Sequence, residues 1–79
     1  MKNLEIVSIN YLYDFKIFVE FNDGKSGEVN LENELWGSIF LPLKEIANFK
    51  KFSLSPVSNT IEWANGADIA PEFLYEKCK

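Results

Sequence analysis

The residues in this chain best equipped for chemistry lie in one stretch, Thr60-Ile61-Glu62-Trp63-Ala64-Asn65-Gly66-Ala67-Asp68-Ile69-Ala70-Pro71-Glu72-Phe73-Leu74-Tyr75. Asp68 and Glu72 form an acidic pair that could bind a cation or move a proton. A hard cation wants about six oxygen ligands, and only Asn65 and backbone carbonyls stand nearby to add to them. The simpler expectation is structural: Asp68 accepts hydrogen bonds from backbone amides of the turn or the following helix, as aspartate before a helix usually does. Glu72 then complements the positive end of the helix dipole. Trp63 and Tyr75 could wall a flat ligand, although such residues more often belong to a core with the polar tip bonded at its edge. Trp36 differs from both. It stands in an acidic, irregular stretch beside Ile39 and Phe40, which suits either a partner interface or a lid over the end of the core.

Nucleophilic catalysis finds no support. Histidine is absent, so a serine or cysteine lacks its usual base. The single cysteine, Cys78, is expected at a fraying end between Lys77 and Lys79, where catalytic geometry cannot be held. One cysteine makes neither a disulfide nor a zinc site, and the four glycines form no phosphate loop. No cofactor and no metal are expected, and the chain does not read as an enzyme. The net charge of −4, with eight lysines and no arginine, makes it a poor reader of nucleic acid. The one basic pair, Lys50-Lys51, reads as a solvated loop.

These side chains must be positioned by a small fold. The 79 residues amount to one domain, spanning 1–79, with 47% hydrophobic and 15% aromatic content. A chain this short buries about 60% of its unfolded surface, so it needs a well-filled core or a partner chain. The lone thiol and the lack of a secretory leader point to a reducing cytoplasm. No apolar run approaches the length of a membrane span.

Alternation predicts strands over 4–13, with Val7, Ile9, Tyr11 and Tyr13 on one face, and over 15–22, with Phe15, Ile17, Val19 and Phe21 on one face. Asp23-Gly24 supplies a hairpin turn, and a third strand runs over 25–31 with Gly27, Val29 and Leu31 alternating. A short helical or irregular segment follows over 32–40. Pro42 opens a helical piece reaching Phe49, with Leu43, Ile46, Ala47 and Phe49 facing the sheet. Strands over 52–55 and 60–63, an Asn65-Gly66 turn and a helix over 72–77 complete the chain. The fold class is α+β: a mostly antiparallel sheet of about five strands, beginning with a three-strand meander, with short helices on one side.

The pattern Tyr11-Leu12-x-Asp14-Phe15, then Val19-x-Phe21-x-Asp23-Gly24-x-x-Gly27-x-Val29-x-Leu31, then Pro42-Leu43 with Phe49, ending Ile61-x-Trp63-x-Asn65-Gly66-x-Asp68-Ile69-x-Pro71-Glu72-x-Leu74-Tyr75, resembles the family called domain of unknown function 2442. The likeness covers nearly the whole chain, and its C-terminal motif is the specific part. It implies a small bacterial α+β protein. Some members carry an added helix-turn-helix domain after this module. This chain ends at Lys79 without one, so DNA binding is not expected. Members often occur beside another small protein, and such a pair has been suggested to act like a toxin and antitoxin. The resemblance brings no agreed catalytic residues. Two functions therefore stand: an interaction module that forms a homo-oligomer, most simply a dimer, or engages another small protein; and a small-ligand binder with a pocket near Trp63, Asn65, Asp68 and Tyr75.

Overall fold

The computed structural model describes residues 4–78. Its N-terminal half is an antiparallel meander of β1 (Ile6–Tyr13), β2 (Lys16–Phe21) and β3 (Ser26–Asn30). The turns have the chemistry that the sequence announces. Asp14 takes φ 50 between β1 and β2, and its carbonyl accepts the Tyr11 hydroxyl at 2.9 Å. Between β2 and β3, Gly24 takes φ 93, and the Asp23 carboxylate accepts the Lys25 N–H at 2.9 Å. Asn and Asp are the non-glycine residues best suited to such positions.

Strands β2 and β3 alternate as expected. Ile17, Val19, Phe21, Val29 and Leu31 are buried, while Glu20, Glu28 and Asn30 are exposed. Strand β1 departs from simple alternation. Ile6 pairs with Phe21 but Ser8 pairs with Glu20, so Val7 is an extra residue; Leu12 is another, between the Tyr11–Ile17 and Tyr13–Lys16 pairs. Each bulge reverses the facing of the residues beyond it. The core-facing set is therefore Ile6, Ile9 and Tyr11, and Val7 and Tyr13 stand 52% and 53% exposed.

The second half is compact but only lightly regular. A 3-10 turn at Glu32–Glu34 leads to buried Leu35 and on to a second 3-10 turn, Leu41–Lys44. Glu45 is extended and breaks the predicted single helix, so α1 spans only Ile46–Phe49. Of the four residues expected to face the sheet, Leu43 and Phe49 are buried; Ile46 and Ala47 are exposed because that break turns the helix. Strands β4 (Ser53–Leu54) and β5 (Ile61–Glu62) pair only with each other, extended by a bridge from Glu62 to Asp68. Among the described residues the strands thus form a three-stranded and a two-stranded sheet, where the sequence pattern predicts one sheet of about five. Two-residue strands are too short to continue the meander's ladder across its bulged edge. Helix α2 (Pro71–Lys77) closes the chain and buries Leu74.

The core lies between the inner face of the meander and this second half. Phe49 is its hub: fully buried, its ring lies 5.2 Å from Phe15, 5.9 Å from Trp63 and 6.2 Å from both Tyr11 and Phe52. Aromatic pairs at such separations contribute about 0.5–1.5 kcal/mol each beyond burial. The polar residues drawn inside are satisfied. Thr60 donates its hydroxyl to the Ile69 carbonyl at 2.5 Å, and the Ser55 hydroxyl accepts the Val57 and Ser58 N–H groups at 3.2 Å.

Candidate functional site

The Trp63–Ala67 turn sets the geometry of the C-terminal motif. The Trp63 N–H donates to the Ala67 carbonyl at 2.8 Å, and the Gly66 N–H donates to the Trp63 carbonyl at 3.0 Å. Gly66 adopts φ 94, which favours glycine there. Trp63 is 4% exposed, and its indole N–H donates to the Phe49 carbonyl at 2.7 Å. It is a core residue with its polar tip bonded. Asn65 uses both ends of its amide. Its oxygen accepts the Ala67 N–H at 3.1 Å within the turn, and its nitrogen donates to the Ile39 carbonyl at 2.9 Å, across 26 residues. Together with the Phe40–Trp63 ring contact at 6.3 Å, this ties the segment around Trp36 to the turn.

Asp68 does not cap the helix. The N-cap of α2 is Ala70, without a side-chain cap bond, and Pro71 occupies the first turn. Proline there has no N–H to satisfy. Asp68 sits between buried Ala67 and Ile69 in an extended bridge opposite Glu62. Strand alternation therefore turns it outward. Its carboxylate is exposed and meets no hydrogen-bond or ion-pair partner among the described residues. Glu72, in the first turn of α2, is exposed too. No group of three or more residues fit to hold a metal occurs among the described residues.

Trp36 is 74% exposed. Its neighbour Leu35, at 2%, covers the core instead, so Trp36 is not a lid. Gly37, at φ 93, reverses the chain directly after it. Trp36 instead lines a groove of about 300 Å³ with Glu34, Phe40, Asp68, Ile69, Ala70 and Phe73. One end of this groove is already neutralised. The Lys77 ammonium lies 3.0 Å from Glu34 Oε2 and 5.6 Å from the centre of the Phe73 ring. A second, smaller groove of about 230 Å³ runs past Trp63, Ala64 and Asn65 to Pro42, Leu43, Asn48 and Lys51.

Tyr75 belongs elsewhere. Its hydroxyl donates to Asp23 Oδ2 at 2.5 Å, and its ring stands edge-on to Phe21 at 5.0 Å. Lys25 lies 4.2 Å above the same ring and donates to the Tyr75 carbonyl at 3.1 Å. This cluster staples α2 to the β2–β3 turn. The Tyr75 hydroxyl, and then the Lys25 N–H, hold the Asp23 carboxyl below its ordinary value. The same hydrogen bond, and then loss of solvent, hold the Tyr75 phenol above its own.

The sequence candidates are therefore brought together in pairs. Trp63 and Asn65 share one groove, Trp36 and Asp68 share another, and neither of these grooves includes Tyr75 or Glu72. Phe73 and Glu34 complete the Trp36 groove and were not among the candidates. The signal for Phe73 is its spacing from Lys77, which puts both on one face of α2. Cys78 is buried at 7%, not frayed, and Lys79 beside it lies outside the described residues.

This is a small α+β module, built around an aromatic core, whose least covered aromatic side chain stands in an open groove. The chain belongs to the family described as Protein of unknown function (DUF2442), whose model matches residues 6–79. No curated protein and no solved structure matches it. No helix among the described residues is long and apolar enough to cross a membrane.

Proposed function

We propose that this chain is a non-catalytic interaction module that docks another small protein in the groove around Trp36, as in the antitoxin-like half of a two-protein pair. The observation that carries this reading is the 74% exposure of Trp36 at a position the fold holds in place. Leu35 anchors it on one side and Gly37 turns the chain on the other. The Asn65–Ile39 bond fixes the loop from across the molecule. Tryptophan held outward, with Phe40 and Phe73 beside it, is the kind of anchor that dominates binding between proteins.

The alternative is a small-ligand site in the groove beside Trp63 and Asn65. Its volume, about 230 Å³, lies below the usual span of ligand pockets, about 300–1,000 Å³. Tyr75 and Asp68, the two polar residues expected to complete it, do not line it. Docking of a different protein is therefore the reading we adopt, and self-association, most simply as a two-fold dimer, is the competing outcome that the test below separates from it.

The test is Trp36→Ser. The variant should fold as the wild type does, since it removes little buried area, and should lose a partner that the wild-type chain captures from its native host. Sedimentation equilibrium on both proteins separates a hetero-complex from a dimer. A folded Trp36→Ser variant that captures the same proteins and shows the same mass would overturn the reading.

A further inference from the structure

We infer that the Trp36 groove selects a basic segment, seating a lysine or arginine side chain of the partner against Asp68 and the Trp36 ring; this rests on the docking reading above. The groove has two carboxylates among its lining residues, Glu34 and Asp68. The fold itself demonstrates what the first one does. Lys77 lies 3.0 Å from Glu34 and 5.6 Å from the centre of the Phe73 ring, a cation held between a carboxylate and an aromatic face. The other carboxylate and the largest ring, Asp68 and Trp36, have no such cation among the described residues. Tryptophan is the best aromatic partner for a cation, and arginine its most frequent one.

The surroundings favour the same sign of charge. In the adjoining groove, lined by Glu28, Asn30, Asn33, Glu34 and Lys77, both carboxylates already have lysine partners, Glu34 in Lys77 and Glu28 in Lys16 at 4.0 Å, which leaves Asp68 as the carboxylate still open to a cation beside Trp36. The whole chain carries −4. A second copy is a poor occupant for this groove. In a two-fold contact the same patch meets itself, so each copy brings an unpaired Asp68 carboxylate, and the described residues lining the groove include no lysine to meet it. Carboxylates brought into an interface without a cation oppose association. The aliphatic stem of a lysine or arginine can cover Ile69, Ala70 and Phe40 while its head reaches Asp68.

Three short peptides test this: leucine alternating with arginine, with glutamine, and with glutamate. Binding is read from emission of a Trp63→Phe protein, in which Trp36 is the sole fluorophore of its kind, and in parallel from amide shifts of the wild type. The arginine peptide should bind tightest and weaken as salt rises. In the Asp68→Asn variant it should weaken about threefold to tenfold, the range of a partly exposed, charge-assisted contact. The glutamate peptide should not bind. Equal binding of the arginine and glutamine peptides would overturn the choice of a cation while leaving the docking reading intact. Failure of all three, together with Trp36-independent partner capture, would overturn both. Wild-type affinity in Asp68→Asn would remove Asp68 from the site.

Discussion

Asn65 should hold the Trp36 segment in place, and two substitutions divide its roles. Each of its hydrogen bonds joins partly exposed groups, so each contributes the lower part of the usual net range, about 0.5–1 kcal/mol. Asn65→Ala loses both bonds and should destabilise the fold by about 1–2 kcal/mol. In a domain of this size that lowers the melting midpoint by about 4–16 °C. Asn65→Asp keeps an oxygen for the Ala67 N–H but replaces the donor that serves the Ile39 carbonyl with another acceptor. It should therefore cost at least one bond's worth. Amide hydrogen exchange locates the damage. In Asn65→Asp, Ala67 should stay protected, while Phe40, whose N–H donates to the Gly37 carbonyl at 3.1 Å in the Trp36 turn, should exchange faster. In Asn65→Ala both should exchange faster. An Asn65→Asp protein as stable as the wild type, with Phe40 exchange unchanged, would show that the turn does not position the groove.

The two tryptophans should respond oppositely: Trp63→Ala should cost about 3–5 kcal/mol, as loss of a buried aromatic does, whereas Trp36→Ser should stay within about 0.5 kcal/mol, both measured by urea unfolding. Gly66→Ala should destabilise by about 1–2 kcal/mol through backbone strain at φ 94, since only an ordinary 3.9 Å contact with Ile39 awaits the new methyl. The Asp23–Tyr75 pair should make stability depend on pH at both extremes. Asp23 is depressed below 3.8, so its contribution is present above that value and fades as pH falls through the lower folded value. Tyr75 is raised above 10.0, so its contribution is present below that value and fades as pH climbs through the higher folded value. Tyr75→Phe should flatten both limbs in a series of melting curves; an unchanged profile would show that the pair does not couple the helix to the hairpin.

Much of the fold was legible where local chemistry and burial agree. Asp23-Gly24 named its own hairpin, and Ile17, Val19 and Phe21 alternate without interruption. Pro71 marked the start of α2. The alternation along β1 misleads because Val7 and Leu12 are bulge residues of ordinary strand type. A bulge is decided by pairing with β2, which spacing along one strand does not reveal. The single sheet failed for a similar reason: β4 and β5 are two residues each, and only tertiary packing decides what they pair with. At the site, burial of Trp63 and the Asn65-Gly66 turn followed from the motif. The Asp68 cap did not, because the chain stays extended to Ala70 and delays the helix. Nor does sequence pair Trp36 with Asp68, since they share a groove only through tertiary packing, to which the Asn65–Ile39 bond and the Phe40–Trp63 ring contact contribute.

The most direct measurement places a photo-reactive phenylalanine analogue at position 36 or at position 57 and irradiates cells of the native host. Val57 is the control, because it is 90% exposed against 74% for Trp36 and lines neither the Trp36 groove nor the one beside Trp63. A docking groove predicts one discrete adduct between this chain and another protein from position 36, and none from position 57. Equal labelling from both positions, or no adduct at position 36, would contradict the proposal that this fold exists to present Trp36.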